Sequence, residues 1–253
     1  MTTVTTNVCR EVYGVLGGMG PVSSAEFLKT IYEQSSHVLD QEAPAVMLYS
    51  DPSFPDRTDA FLEHSYDVVL AQLIESLQRL TDLGSTQIVL CCMTIHYLLP
   101  QVPLPLRRRV VSLLDVIFEH IQLTGKKHLL LCSIGTRRLG LFESHSRWDQ
   151  AKDHFVLPDE SDQRSIHYDL IYSLKRNLDL STATPFVDSL LEKYGLESFV
   201  VGCSEIHLLA KHYASANGRL GYSSLDPLTI LARRWATEHT LCLSSSEASL
   251  LVR

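Results

Sequence analysis

The sequence predicts an α/β protein made of two similar halves, each a parallel sheet flanked by helices. Three observations carry this. Short apolar runs rich in β-branched residues, Ile88-Val89-Leu90 and Phe199-Val200-Val201 among them, alternate with longer stretches of helical apolar spacing, the pattern of buried parallel strands. One such strand runs into Cys92-Met93-Thr94-Ile95-His96, and another, 111 positions later, into Cys203-Ser204-Glu205-Ile206-His207. A Gly turn precedes each: Leu16 and Gly20 match Leu131 and Gly135, 115 positions on. Two motif pairs in the same order at nearly equal offsets point to an internal duplication, not to a solenoid with its much shorter repeats.

Composition bounds the function. The chain has 253 residues, 45% hydrophobic and 20% charged, as expected of a folded globular protein with two small domains or one large one. Its net charge is −7, and its densest basic cluster, Arg107-Arg108-Arg109, fits a solvated linker better than a nucleic-acid surface. No nucleic acid and no membrane is expected as partner. Met1–Val8 is polar and Thr-rich, unlike a signal peptide, and no apolar run approaches the roughly 20 residues that span a bilayer. A cytoplasmic location and reduced cysteines are therefore expected, with no C-x-x-C spacing for zinc.

The elements follow in order. Glu11–Leu16 is a strand, and Gly17-Gly18-Met19-Gly20-Pro21 turns it into a helix at Ser23–Tyr32 whose N-terminus favours an anion beside Met19. The loop lacks the G-x-G-x-x-G register of a dinucleotide fingerprint. Ala45–Ser50 is the second strand. The Pro-stiffened loop Asp51–Thr58 could hold Arg57 as a carboxylate clamp, or Arg57 could pair with Asp56 or cap a turn. Asp59–Leu83 has one long helical pattern, stopped at Gly84. Thr86–Cys91 is the third strand. Leu99–Pro105, with three prolines, is a candidate linker, and a helix to about Leu123 follows. Lys127–Cys132 is a strand ending in Ser133-Ile134-Gly135-Thr136, the second Gly loop. His154–Leu157 is a short strand, Asp162–Leu178 and Ala183–Tyr194 are helices, and Glu205–Tyr213 is the helix after the second cysteine strand. Leu220–Leu225 is the last strand, and Asp226-Pro227 caps a final helix to about Thr240, with a frayed tail from Cys242.

Two thiols on two matching turns suggest a chemistry. Inverting a carbon that bears hydrogen requires an acid/base group on each face, and a duplicated chain supplies one from each wall of a cleft. A cysteine with a pKa near 8.5, tunable by a helix N-terminus, reaches both protonation states near neutral pH. Thr94 and Ser204 could hydrogen-bond a substrate carboxylate. Glu205 could take an ammonium group or orient the second thiol. His96 and His207, one turn beyond, could polarise the thiols or be packed groups. Cys91, adjacent to Cys92, should face the other side of its strand and pack.

These residues resemble the cofactor-independent aspartate/glutamate racemases, and within them the aspartate racemase branch, along Val15–Trp235. Gly17–Pro21 resembles that branch's opening loop, Pro55-Asp56-Arg57-Thr58 its carboxylate loop, Cys92–His96 its C-N-T-x-H turn, and Gly202–Glu205 its G-C-T-E turn. Ile171-Tyr172 with Lys175 resembles a helix whose lysine faces the substrate. The resemblance implies two Rossmann-like halves related by a pseudo-twofold axis with the active site between them, residues 1–110 plus 218–253 forming one half and 111–217 the other. It implies Cys92 and Cys203 as the two bases. Substrate binding falls to Met19, Arg57, Met93, Thr94, Ser133, Thr136, Lys175, Ser204 and Glu205. It also implies no pyridoxal phosphate or other cofactor, no metal, and a homodimer. Met93 stands where the family has Asn, and Ser204 where it has Thr. The expected activity is interconversion of L- and D-aspartate. The alternatives are a glutamate or hydantoin racemase, a maleate isomerase, or a non-catalytic dicarboxylate-binding protein.

Overall fold

The computed structural model describes residues 11–35, 39–176, 179–215 and 221–248. In the first half, β1 (Val12–Gly17) leads to α1 (Pro21–Gln34) and β2 (Ala45–Ser50) to α2 (Arg57–Leu62) and α3 (Asp67–Asp82). Next come β3 (Gln87–Leu90), a 3-10 helix (Thr94–Gln101), α4 (Leu104–Arg107), β4 (Val110–Val111) and α5 (Leu113–His120). The second half repeats the plan. It runs through β5 (His128–Cys132), α6 (Ile134–Arg138), α7 (Trp148–Ala151), β6 (Phe155–Val156) and α8 (Glu160–Ser165). A π-helical segment (Ile166–Ile171), α9 (Tyr172–Lys175), α10 (Leu180–Tyr194), β7 (Ser198–Gly202), α11 (Ile206–Ser215), β8 (Ser223–Leu225) and α12 (Pro227–Ala248) complete it. The two sheets have the orders β2-β1-β3-β4 and β6-β5-β7-β8, with every neighbouring pair parallel. The α/β class and the duplication are therefore as the sequence predicts.

Alternation along the strands divides the core. Tyr13, Val15, Val89 and Cys91 from one sheet and Leu130, Cys132 and Val200 from the other enter a shared cluster with α5 and α12 residues. Ile88, Leu90 and Cys92 join a cluster with the helices of the first half, and Leu129, Leu131, Phe199, Val201 and Cys203 one with the helices of the second. Trp235 of α12 seals the shared core, fully buried, stacked on Tyr13 at 4.5 Å and donating from its indole to Gln87 at 2.8 Å.

Several elements depart from the sequence expectation. The long helix at 59–83 is broken between α2 and α3, where His64 takes a left-handed φ of 56° and Ser65 N–H turns back to the Ala60 carbonyl. The proline-rich stretch 99–105 is not an extended linker. Pro100 lies in the 3-10 helix and Pro103 caps α4, and Leu98, Val102 and Leu106 are buried. β4 pairs in the first sheet and β8 pairs with β7 in the second, whereas the sequence-based division cuts β4 between Val110 and Val111 and groups β8 with the first half. Two- and three-residue strands carry little periodicity of their own, and the duplication places each as the fourth strand of its sheet. Among the described residues Cys91, Cys92, Cys132 and Cys203 are free and buried, while Cys242 is disulfide-bonded, against the expectation of reduced thiols. Met1–Val8, Leu178, Gly218, Leu220 and the end of the tail lie outside the described residues. Among the described residues no helix is long and apolar enough to cross a membrane.

Two buried imidazoles pin the repeat. His96 Nδ1 donates to the carbonyls of Cys92 (2.9 Å) and Met93 (3.2 Å), and its Nε2 accepts the Leu113 N–H (3.1 Å) at the start of α5. Burial lowers its pKa to about 4, which suits a neutral ring with one acceptor nitrogen. His207 meets Asp226 at the head of α12 (2.6 Å) and Thr30 of α1 (3.0 Å). Burial opposes ionisation of Asp226, but His207, the Thr229 hydroxyl and the Leu228 N–H outweigh it and hold the carboxyl below its ordinary value. Asp226→Ala should therefore cost about 1–3 kcal/mol in urea unfolding at neutral pH, because it leaves the buried His207 ring and the Leu228 N–H without their acceptor. Asp226 contributes its stabilisation above the ordinary carboxylate pKa and loses it as pH falls through the depressed folded value, so the gap between wild type and Asp226→Ala should narrow in acid.

Candidate active site

The carboxyl ends of the central strands of both sheets converge, which is where open parallel sheets bind ligands. After β1 the chain turns through Gly18 (φ 90°) and Gly20 (φ 152°) into α1. Gly20 has a second reason to be glycine: a Cβ there would stand 2.2 Å from Glu205 Oε1. After β5, Gly135 sits where a Cβ would meet Thr58 Oγ1 at 2.9 Å and Thr58 Cα at 3.2 Å, so this glycine sets how closely α2 of one half approaches α6 of the other.

Between these turns lies one cavity with about 20 Å³ of free space, room for a single water. The first half lines it with Met19, Asp56, Arg57, Thr58, Cys92 and Thr94. The second half contributes Ser133, His167, Ile171, Lys175, Cys203 and Glu205.

The thiols differ in surroundings. Cys203 Sγ–H donates to Glu205 Oε2 at 2.9 Å, and burial first, then the Glu205 charge, push this thiol above its ordinary pKa. Glu205 is itself buried, takes a second hydrogen bond from Ser204 Oγ (3.3 Å), and leaves Oε1 without a partner. Cys92 faces the same cavity from the end of β3, 6% exposed. Cys91 is fully buried in the shared core on the other face, as expected of its neighbour on a strand.

Arg57 is bound differently from a free clamp. Its Nη1 donates to the Phe54 (3.3 Å) and Pro55 (2.7 Å) carbonyls and its Nη2 to Met19 O (3.0 Å). Three of its five N–H groups are thereby used, tying the second loop to the first. Nε is buried without a partner, so the Nε–H and the remaining Nη2–H form an edge available to an anion. Asp56 neither pairs directly with Arg57 nor stays idle. It caps α2 through Thr58 N (2.8 Å) and Asp59 N (3.3 Å), and across the halves it receives the Tyr172 hydroxyl (3.0 Å) and stands 3.7 Å from Lys175 Nζ. Lys175 in turn lies 4.5 Å over the Tyr172 ring. Burial opposes the Asp56 charge, and Lys175 and Arg57 together with these hydrogen bonds bring its pKa below the ordinary carboxylate value.

Three hydroxyls bridge the halves. Thr94 Oγ1 meets Ser133 Oγ (3.1 Å) and Thr136 Oγ1 (2.9 Å), and Ser133 also caps α6 by accepting Thr136 N–H (3.1 Å).

Of the residues singled out from sequence, Cys92, Cys203, Met19, Arg57, Thr94, Ser133, Lys175 and Glu205 border the cavity, while Met93, Thr136 and Ser204 do not. Met93 packs into the shared apolar core, which removes the significance attached to its amide-free side chain. Thr136 and Ser204 stand behind, bonded to Thr94 and Glu205. His96 and His207 also stay out of the cavity and serve the scaffold. The sequence reading missed Asp56 and Thr58, although their motif was in view, and His167 and Ile171, which lie eight and four positions before Lys175 on one helical stripe. Among the described residues no group of three or more His, Cys, Asp or Glu side chains is placed to hold a metal ion.

Known proteins share this fold. Residues 16–234 match the family described as Asp/Glu/Hydantoin racemase. The fold is similar to that of Picrophilus torridus aspartate racemase (TM-score 0.77, 21% identity, covering 91% of this chain and 94% of that one). It is also similar to a glutamate racemase of Bacillus anthracis (0.53, 16%, 94% and 83%) and to the allantoin racemase of Klebsiella pneumoniae (0.54, 14%, 91% and 88%). The match over most of its length shows that this chain belongs to the Asp/Glu/Hydantoin racemase family and is an isomerase of that family.

Proposed function

We propose that the enzyme interconverts L- and D-aspartate by moving a proton at Cα between two thiols, with no cofactor. The observation that carries this reading is the pair Cys92 and Cys203, one from each half, bordering a single cavity that a guanidinium and an ammonium group also line. In the reaction one thiolate removes the α-proton from one face. Negative charge develops on the α-carboxylate, where the open edge of Arg57 and the Thr94 and Ser133 hydroxyls stabilise it. The other thiol returns a proton to the opposite face, and the roles exchange for the reverse direction. Cys203, its S–H held by Glu205, carries its proton before substrate arrives.

Two cations matched to two carboxylates support an acidic amino acid. The higher structural similarity to the aspartate racemase than to the glutamate racemase supports the shorter one. The direct test is proton NMR of L-aspartate in D₂O with pure protein and no added cofactor, with L-glutamate in parallel. Loss of the α-proton signal with growth of D-aspartate is expected, and faster exchange of glutamate would overturn the assignment.

Cys92→Ser and Cys203→Ser should each abolish racemisation while exchanging the α-hydrogen of one enantiomer only, a different one for each variant. Full racemisation by either variant would remove the two-thiol mechanism. Arg57→Lys should raise KM and lower kcat together. A fall of roughly a hundredfold in kcat/KM follows from losing two charge-assisted hydrogen bonds of about 1.5 kcal/mol each; a KM change alone would place Arg57 in ground-state binding only.

A further inference from the structure

His167 lines the cavity and has no part in the two-thiol chemistry. It is 2% exposed and lies in the π-helical segment, with Ile171 and Lys175 at the following i+4 and i+8 positions. Segments of this kind are uncommon and concentrate at functional sites. The Tyr168 and Tyr172 rings meet the imidazole edge-on, with centroids at 4.7 and 4.8 Å, and fix its plane. Its Nδ1 accepts the backbone N–H of Ile134 at 3.4 Å. A ring nitrogen that accepts carries no hydrogen, so the proton of the neutral imidazole sits on Nε2. No described residue accepts from Nε2.

We propose that His167 is a substrate-binding residue whose Nε2–H donates a hydrogen bond to the same carboxylate that Lys175 neutralises. This deepens the reading given above and rests on it for the identity of the carboxylate. A neutral donor is the fitting partner there. Arg57 and Lys175 already supply a cation for each carboxylate of a dicarboxylate, and a neutral donor adds a hydrogen bond without adding charge. Burial, and then Lys175, lower the pKa of His167, in keeping with that neutral form. The hydrogen bond adds direction to a contact that an ammonium group makes without angular preference.

Two substitutions separate this role from a purely structural one. His167→Asn places an oxygen near the position of Nδ1, keeping the Ile134 contact, but does not reach the Nε2 position. His167→Gln reaches the Nε2 position with its amide but gives up the acceptor for Ile134. Succinate, an unreactive dicarboxylate, is the probe, with its Kd measured by calorimetry on the full chain. His167→Asn should bind succinate about tenfold or more weakly than wild type with its thermal midpoint near the wild-type value, and His167→Gln should bind more tightly than His167→Asn. Wild-type affinity in His167→Asn, or a His167→Gln variant no tighter than His167→Asn, overturns the proposal, as does failure of the wild type to bind succinate. If His167→Asn does not fold, the Nε2–H resonance of the wild type decides: a downfield shift on adding succinate is expected, and an unmoved resonance overturns the assignment. Ordered succinate affinities in a protein that exchanges no aspartate would uphold His167 and remove the racemase reading. Aspartate racemisation with succinate binding indifferent to His167 would do the reverse.

Discussion

The site depends on the burial of one face of each sheet against the other. Tyr13, Val15, Val89 and Cys91 meet Leu130, Cys132 and Val200 in one apolar cluster, and Trp235 and the α5 residues close it. Burial of this kind has no direction, but alternation along a strand gives it one. With Cys91 and Val89 committed to the shared core, Cys92 must face the other way, toward the end of the sheet. The same holds for Cys203 relative to Val200 and Gly202, where a Cβ would stand 2.8 Å from Cys132 Cβ. Neither thiol is placed by its own packing preference; each takes the direction its neighbours leave.

Charge within the cavity is arranged to be used. Arg57 spends three N–H groups on carbonyls of its own loop and of the Gly loop, so its position is fixed before any ligand arrives. Lys175 is held by Asp56 and the Tyr172 ring, a contact between halves that a substrate carboxylate can replace. A preorganised guanidinium and a displaceable ammonium do different work. In the proposed reaction the first stabilises charge without reorganising, as proton abstraction requires. The second couples occupancy of the site to the contact between α2 and α9.

Much of this was legible in the sequence because it is local or repeated. The central strands, the Gly loops and the two cysteine turns carry their own periodicity and recur at nearly equal spacings, so the duplication and the cysteine turns follow from the residues themselves, while Ser133 and Lys175 came only with the family resemblance. What escaped depends on contacts made only in the folded chain. Met93 lies within the motif yet packs into the core, because a side chain between Cys92 and Thr94 points away from both. His64 breaks a helix through a backbone conformation that its sequence does not announce. The π segment shifts the register of the helix before Lys175, and with it His167, by a backbone change that leaves no compositional trace. Asp56 was visible only as the neighbour of Arg57, although its partners, Tyr172 and Lys175, lie in the other half.

The repeat also explains why its two copies differ. His96 and His207 occupy the same position and do the same task, each joining its cysteine turn to the helix after the fourth strand of its sheet, at Leu113 and at Asp226. Two positions after each cysteine the copies diverge: Thr94 in one, Glu205 in the other. Thr94 engages the hydroxyls of Ser133 and Thr136, while Glu205 holds the Cys203 proton. A pseudo-twofold scaffold with identical groups on both sides would present the same surroundings to both faces of a substrate. An amino acid bound there has an ammonium group, a carboxylate and a side chain, and no twofold axis. Symmetry in the scaffold brings one thiol from each half to the cavity, and the Thr94–Glu205 difference gives the two unlike neighbours.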